Sequence, residues 1–195
     1  MKYDLVEIFE SLQGEGRNMG RPCVFVRFAG CNLKCPWCDT DVSQRFSLSL
    51  EELVAEVKTF RAKSVVLTGG EPTIVEGMPE LVAALKREGY WLAVETNGTN
   101  EPDWFAFLDY IACSPKAEFP RSLKLSAADE VRVVASAAAT VEFCESLRRR
   151  IKATDYYISP CDENGTFNFA NAKSLISRLQ GWSLSVQLHK LLGFR

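Results

Sequence analysis

The sequence predicts an α/β fold built around a largely parallel sheet. Short β-rich segments alternate with segments of helical periodicity along most of the chain. Such alternation is typical of parallel strands joined by crossover helices. A closed eightfold barrel usually takes about 250 residues, and this chain has 195. A partial barrel and an open doubly wound sheet are therefore both compatible with the pattern.

The individual elements follow from local sequence signals. Eight segments rich in β-branched and aromatic residues are predicted strands: Tyr3–Phe9, Cys23–Phe28, Ser64–Leu67, Trp91–Glu95, Asp109–Cys113, Val131–Val134, Asp155–Ile158 and Trp182–Val186. About six of these strands are expected to be parallel. Ser49 and Glu52 form a capping-box pattern that opens a helix to about Phe60, and further helices are predicted at Pro79–Glu88, Thr140–Arg150 and Asn171–Gln180.

Composition favours one small-molecule enzyme domain over residues 1–195. Hydrophobic residues make up 47% of the chain, enough for a substantial core. The net charge of −2 argues against direct nucleic-acid binding. No apolar run approaches the ~20 residues that span a membrane, and Met1–Asp4 opens no apolar signal region. The seven cysteines are an odd number, which argues against a disulfide framework and favours a reducing, cytoplasmic location.

Three cysteines, Cys31, Cys35 and Cys38, are spaced CxxxCxxC after a predicted strand. Closely spaced thiolates on one loop are typical ligands of iron–sulfur clusters. Three thiolates on a four-iron cluster leave one iron open for a substrate or cosubstrate, which indicates chemistry at the cluster. Structural zinc, which normally takes four protein ligands, and a purely structural role for the cysteines are the alternatives.

Four segments carry a resemblance to a known family. The segment Cys31–Cys38, with Trp37 before its third cysteine, resembles the cluster loop of radical S-adenosylmethionine (SAM) enzymes. The segments Ser11–Gly16, Gly69–Pro72 and Glu95–Thr99 resemble the 7-carboxy-7-deazaguanine synthase family. The resemblance extends over nearly the whole chain and favours a partial, incomplete TIM-like barrel of about six parallel strands, the radical SAM core.

The positions of these motifs agree with such a fold. Functional loops of parallel α/β sheets gather at the carboxyl ends of the strands. The cysteine loop follows the strand ending at Phe28, the Gly-Gly-Glu-Pro turn follows Leu67, and Thr96–Gly98 follows Glu95. The three motifs are therefore expected at one edge of the sheet.

The resemblance implies a set of cofactor contacts. Cys31, Cys35 and Cys38 would hold a 4Fe-4S cluster, and SAM would bind its open iron. The turn after Thr68 suits the methionine end of SAM, because glycine backbone N–H groups can meet a carboxylate and a carboxylate can accept from an ammonium. The predicted SAM contacts are Trp37, Asp39, Gly70, Glu71, Asn97, Ser114, Lys116 and Ser159.

The resemblance also implies a pterin site and a magnesium ion. Glutamine and backbone groups match the donor and acceptor edge of a pterin, and an arginine fork suits its carboxylate. The predicted substrate contacts are Leu12, Gln13, Gly14, Glu15, Arg27, Thr68 and the terminal residue Arg195. Arg27 and Glu95 are the predicted catalytic residues, with Glu95 as a substrate contact or proton acceptor. Thr40 is implied as a ligand of Mg²⁺, which prefers oxygen donors.

The implied activity is a radical ring contraction. SAM cleavage at the reduced cluster would give a 5′-deoxyadenosyl radical that abstracts hydrogen from C6 of 6-carboxy-5,6,7,8-tetrahydropterin. Loss of ammonia would give 7-carboxy-7-deazaguanine, a precursor of queuosine and related deazapurines, which makes the enzyme a carbon–nitrogen lyase. A flavodoxin- or ferredoxin-type reductant and a homodimer are implied as well. The alternatives are an activating enzyme for a glycyl-radical protein and a non-enzymatic iron–sulfur module.

Overall fold

A computed structural model describes residues 1–163 and 165–194. Its strands are β1 (Lys2–Leu12), β2 (Pro22–Phe28), β3 (Phe46–Ser49), β4 (Ser64–Gly69), β5 (Trp91–Thr96), β6 (Tyr110–Cys113), β7 (Glu130–Ala135), β8 (Asp155–Glu163), β9 (Thr166–Asn168) and β10 (Ser183–Leu184). Its helices are α1 (Leu50–Lys58), α2 (Met78–Arg87), α3 (Val141–Arg150), α4 (Phe169–Ile176) and α5 (Leu188–Leu192).

The strands form one open sheet in the order β10-β8-β7-β6-β5-β4-β2-β1-β3, with β9 attached to β8. Along this order, every neighbouring pair from β2 to β10 is parallel. The pairs of β1 with β2, of β1 with β3 and of β8 with β9 are antiparallel. The predicted parallel α/β sheet that stops short of a closed barrel is confirmed. The last predicted strand is reduced to the two residues of β10.

The four longer helices pack on one face of the sheet. Their buried side chains, such as Leu53 of α1 and Leu147 of α3, join Val26 and Val94 of the sheet in the main core. Ser49 caps α1 as predicted, because its side chain accepts from the N–H of Glu52 while the Glu52 carboxylate accepts from the N–H of Ser49.

The opposite face, called here the inner face, carries the alternate strand residues. A small apolar group on this face, farther from the carboxyl ends of the strands, comprises Cys23, Val66, Ala93, Tyr110 and Ala112. Polar side chains of the same strands lie nearer their carboxyl ends on this face. The inner face is therefore where the predicted site residues of the strands meet.

Two of the connections between parallel strands contain no α-helix in the part of the chain that the structure describes. The β5–β6 connection contains a short 3₁₀ helix, Asp103–Phe107, whose Trp104 and Phe105 are buried in the main core. The β6–β7 connection, residues 114–129, has no α-helix. Two large aromatic side chains cover the sheet where a helix would otherwise pack.

Several elements lie outside the sequence prediction. They are β3, the β8–β9 hairpin and α5, which has only five residues. Short elements of this kind carry too few residues for a clear periodicity. None of the described helices is long and apolar enough to cross a membrane.

Candidate active site

The cysteine loop leaves the carboxyl end of β2. Gly30 N–H donates to the Val42 carbonyl at 2.9 Å and closes the base of the loop. Cys31 and Cys35 are half-buried, Cys38 is exposed, and all three thiols are free. No three Cys, His, Asp or Glu side chains of residues 1–163 and 165–194 are grouped as a preformed metal site. The loop therefore supplies three thiols from one turn-rich segment without a fourth protein ligand.

The surroundings of these thiols are only partly apolar. Burial raises the pKa of Cys31 and of Cys35, whereas the nearby ammonium of Lys116 lowers it. The presence of Cys38 also raises the pKa of Cys31 and of Cys35, so the three sulfurs lie in one electrostatic neighbourhood. This donor set, three thiols without a fourth ligand, fits a cluster with an open iron better than closed tetrahedral zinc.

The Gly-Gly-Glu-Pro turn presses directly on the cysteine loop. A Cβ at Gly70 would lie 1.8 Å from the Gly30 carbonyl oxygen and 2.8 Å from Cys31 Cβ. Gly69 has φ +139°, and a Cβ there would lie 2.2 Å from the Phe28 carbonyl oxygen. Only glycine permits this approach of two backbones.

The backbone N–H groups of the turn are used internally. Gly70 N–H donates to the Phe28 carbonyl at 3.2 Å, and Glu71 N–H donates to the Gly30 carbonyl at 3.1 Å. These two N–H groups already have backbone acceptors, and the contact of Gly70 with SAM stays a prediction. The turn uses them to hold the cysteine loop.

Glu71 has a structural role at this turn. Its side chain is fully buried, and its carboxylate accepts from Thr73 N–H and hydroxyl, the Thr96 hydroxyl and Asn97 N–H at 2.7–3.0 Å. Three of these bonds end on Oε1 and one on Oε2. Glu71 thus joins the turn to the end of β5, and its contact with SAM stays a prediction.

Asn97 links the end of β5 to the cysteine loop. Its side-chain Nδ2 donates to the side-chain oxygen Oδ1 of Asn32 at 2.9 Å, and Asn32 Nδ2 donates to the Thr99 hydroxyl at 2.7 Å. Three of the sequence motifs therefore meet at one edge of the sheet, as expected.

Trp37, Ser114 and Lys116 are brought together, as their shared assignment requires. Lys116 Nζ lies 5.2 Å from the centre of a Trp37 ring and donates to the Ser114 hydroxyl at 2.8 Å. Trp37 Nε1 donates to Glu118 Oε1 at 2.6 Å. Glu118 Oε2 is buried and has no hydrogen-bond partner among the described residues. This open acceptor beside Trp37 fits a ligand rich in N–H or O–H groups, as SAM is.

Asp39 and Thr40 follow on the exposed side of the loop. Thr40 Oγ1 donates to Asp39 Oδ1 at 3.3 Å. Lys190 of α5 forms ion pairs with Asp39 and, at 2.6 Å, with Asp162. Asp39 is therefore engaged by the carboxyl-terminal helix, and Thr40 presents a hydroxyl next to the third cysteine.

Arg27, Thr68 and Glu95 lie side by side on the inner face. Arg27 of β2 pairs in register with Thr68 of β4, and Glu95 occupies the adjacent position on β5. Arg27 Nε donates to Glu7 of β1 at 2.8 Å, and the Arg27 side chain is 22% exposed. Arg27 therefore has the inward position and the partner that a buried charge requires.

The segment after β1 folds across the inner face. Gln13 Nε2 donates to Glu95 Oε1 at 3.0 Å, and Glu15 accepts from the Gln187 amide at 3.0 Å. Gly14 packs on His189, because a Cβ there would lie 2.1 Å from His189 Nδ1. Leu12, which ends β1, is exposed. The predicted substrate segment thus reaches Glu95 directly.

The most heavily charged group on the inner face escaped the sequence prediction. Arg132 of β7 forms ion pairs with Glu95, with Glu15 at 3.0 Å and with Glu130 at 3.0 Å. Tyr110 donates its hydroxyl proton to Glu130 at 2.8 Å. Glu130 and Arg132 are two positions apart in the otherwise largely apolar segment Glu130–Ala135, so both side chains lie on one face of the strand. This spacing is the sequence feature that could have predicted the cluster.

Two other predicted residues remain. Ser159 is buried on β8, and its hydroxyl lies 3.4 Å from Glu15 Oε2 of the predicted substrate segment. Its contact with SAM stays a prediction. Arg195 lies outside the described residues.

Known proteins resemble this chain over nearly its whole length. The model of the radical SAM superfamily matches residues 25–158. A 7-carboxy-7-deazaguanine synthase of Neisseria meningitidis is 44% identical, over 98% of this chain and 94% of the relative. One from Haemophilus influenzae is 43% identical, over 98% and 93%. The crystal structure of QueE from Escherichia coli superposes with a TM-score of 0.74 at 24% identity, covering 96% of this chain and 95% of that chain.

Proposed function

Since this chain belongs to the radical SAM superfamily and, within it, to the 7-carboxy-7-deazaguanine synthase family, we propose that it forms 7-carboxy-7-deazaguanine. The substrate is 6-carboxy-5,6,7,8-tetrahydropterin, and ammonia is lost as the ring contracts. The enzyme is then a carbon–nitrogen lyase of 7-deazapurine and queuosine biosynthesis.

One observation carries this proposal on the structural side. The cysteine loop, the Gly69–Gly70 turn and the end of β5 are bonded to one another at the carboxyl edge of the sheet. The row Arg27, Thr68 and Glu95 lies on the inner face at the same edge. A cofactor held at the loop would therefore face a substrate held on the inner face.

Cys31, Cys35 and Cys38 would hold the 4Fe-4S cluster, and Trp37, Ser114, Lys116 and Glu118 would border SAM. When bound, the cluster and SAM supply one-electron cleavage and hydrogen abstraction from the substrate. Gly70 and Asn97 keep the cysteine loop against the sheet. Lys116 contributes a positive charge beside the bound anionic groups.

The substrate would lie against the inner face. Arg27 offers a guanidinium for the pterin carboxylate, and Thr68 adds a hydroxyl beside it. Glu95 and Gln13, already hydrogen bonded to each other, present an acceptor and an amide toward the pterin ring. Leu12 and Gly14 would contribute backbone groups, because both belong to the same segment.

Several finer features belong to this proposal. Thr40 would ligate Mg²⁺ together with the substrate carboxylate and water. Residues 1–195 would form one radical SAM domain that works as a homodimer in the cytoplasm. A flavodoxin- or ferredoxin-type protein would supply the electron.

The test is anaerobic turnover. The protein is reconstituted with iron and sulfide, and SAM, reductant, Mg²⁺ and 6-carboxytetrahydropterin are added. Mass spectrometry is expected to find both 7-carboxy-7-deazaguanine and 5′-deoxyadenosine. Deoxyadenosine without deazaguanine would overturn the substrate, as for an enzyme that activates a glycyl-radical protein. Neither product from a protein with an intact cluster would overturn the enzyme activity itself.

A further inference from the structure

Arg132, which has no role in the proposed function so far, is the centre of a buried charge cluster. Its guanidinium contacts Glu15 through Nε, Glu95 through one terminal nitrogen and Glu130 through the other. Its side chain is 7% exposed, against 2% for Glu130, 15% for Glu15 and 20% for Glu95. The cluster thus runs from a closed end at Glu130 to a more open end at Glu95.

The charges of this cluster do not balance. Three ionised carboxylates and one guanidinium would leave a net charge of −2 in a poorly solvated place, and such an excess is expensive to bury. The excess can be relieved by a retained proton or by N–H donors of a ligand. Glu95 is the member through which a ligand can act, because it is the most exposed of the four and lies in the row with Thr68.

The geometry makes Glu95 dependent on Arg132. One Glu95 oxygen is held by the guanidinium and the other accepts from Gln13. The guanidinium is a planar fork with fixed donor directions, so it sets the position and plane of the carboxylates that it contacts. Glu15, which belongs to the predicted substrate segment, is fixed by the same side chain.

Glu130 is the remote member of the cluster. It begins β7, and besides Arg132 it accepts from the Tyr110 hydroxyl at 2.8 Å and from Arg17 N–H at 2.9 Å. The carboxylates of Glu15, Glu95 and Glu130 also line one small cavity with Gln13 and Tyr110. Glu130 therefore acts on Glu95 through its charge, and at 2% exposure it is the least accessible member of the cluster.

We propose that Arg132 is a positioning residue of the deazapurine-forming reaction, which orients Glu15 and Glu95 toward the pterin and transmits the charge of Glu130 to Glu95. This inference rests on the proposed function. Arg132 acts only through the carboxylates that it holds. Glu130 sets how readily Glu95 takes up a proton.

The groups around Glu95 determine in which direction its pKa is shifted. Burial raises the pKa of Glu95 to about 7, Arg132 lowers it, and Glu130 and Glu15 raise it. Cys23 of β2 and Tyr110 of β6 also face the cluster; burial raises the pKa of both thiol and phenol, so both are neutral at neutral pH. Tyr157 of β8 is likewise neutral, because burial raises its pKa.

Two variants separate geometry from charge. Arg132→Lys keeps one positive charge but loses the fork, so the pterin KM is expected to rise at least tenfold while SAM cleavage without pterin stays within twofold. Glu130→Gln removes a remote negative charge, so the acid limb of kcat/KM is expected to move to lower pH by about one unit. Arg148→Lys on α3 and Glu88→Gln at the end of α2, both exposed, are the matched controls.

The readouts are the pterin dissociation constant by anaerobic calorimetry, the pH profile, the SAM cleavage rate and the melting temperature. The inference would be overturned if Arg132→Lys bound the pterin as tightly as the wild type and the acid limb of kcat/KM did not move in Glu130→Gln. Wild-type turnover in the same assays would still uphold the proposed function. Parallel loss of SAM cleavage and pterin binding in a folded Arg132→Lys protein would also overturn it, in favour of a general structural role. A wild-type protein that binds no pterin would overturn the proposed function and this inference together.

Discussion

Glu71 Oε2 accepts a hydrogen bond of 2.7 Å from the backbone N–H of Asn97. This bond joins the turn after β4 to the turn after β5, and the same Asn97 holds Asn32 of the cysteine loop. A fully buried carboxylate is therefore the common support of three loops that meet at the site.

Replacing Glu71 should destabilise these loops together. Glu71→Ala leaves four donors without their acceptor, so the free energy of unfolding is expected to fall by about 3 kcal/mol. Chemical denaturation measures the loss, and iron content after reconstitution reports the cysteine loop. The exposed Glu76→Ala serves as the control, and equal stability of the two variants would contradict this role for Glu71.

Gly70 should tolerate no side chain. Because a Cβ would lie 1.8 Å from the Gly30 carbonyl oxygen, Gly70→Ala must push the cysteine loop away from the turn. The expected result is a protein that binds less than half the iron of the wild type under identical reconstitution. Gly89→Asn, at a left-handed position with open space around it, is the control that should retain full iron binding.

Arg27 should govern pterin binding but not SAM cleavage. Arg27→Met removes the guanidinium proposed for the substrate carboxylate, so kcat/KM for the pterin is expected to fall by about 10²-fold or more. Deoxyadenosine formation without pterin should persist, because Arg27 lies on the inner face and not in the cysteine loop. Equal losses of both activities would refute the assignment of Arg27 to the substrate.

Thr40 should carry the dependence on magnesium. Thr40→Val removes the hydroxyl but keeps the branched shape, so added Mg²⁺ is expected to stimulate the variant less than twofold. Wild-type turnover should fall severalfold when Mg²⁺ is omitted. Pterin turnover measured across a magnesium titration checks both statements, and a wild-type response in Thr40→Val would exclude this ligand.

His189 should make the docking of α5 sensitive to acid. Burial lowers the pKa of His189, and the nearby Glu15 acts in the opposite direction. Protonation of His189 therefore favours the unfolded form. The stabilisation that neutral His189 provides is complete above the pKa of an unfolded histidine, about 6.5, and it is lost as the pH falls below that value.

The measurement is the melting temperature between pH 7.5 and 5 for the wild type and His189→Gln. The raised pKa of Glu95, about 7, adds a contribution of opposite sign, since that group is more protonated in the folded state. Both proteins contain Glu95, so the difference between their melting temperatures cancels its contribution. A difference that does not change with pH would show that His189 is not buried against Gly14 in solution.

Local sequence signals were sufficient for the central parallel strands, β2 and β4 to β8, and for the positions of the motifs. The capping box at Ser49, the glycines of the turn and the cysteine spacing each express a local physical requirement, so each is readable in the sequence. The Lys190 ion pair with Asp39 joins residues 151 positions apart, and no local pattern encodes it.

Burial and partners were harder to predict than position. Glu71 lies where the motif places it, but the sequence does not reveal that its carboxylate is fully buried and accepts four hydrogen bonds from three other residues. Arg132 and Glu130 showed an alternation on one face of a strand, yet their partner Glu15 comes from a loop that crosses the sheet. Such a crossing depends on tertiary packing.

The loop after β1 has a mechanical consequence. Residues Gln13–Arg17 bond to Glu95 on β5, Glu130 on β7, Asp155 on β8 and the segment after β10. The loop therefore braces an open sheet whose two edge strands, β3 and β10, do not pair with each other. A substitution that changes substrate preference in this loop is for that reason expected to change the rigidity of the sheet as well.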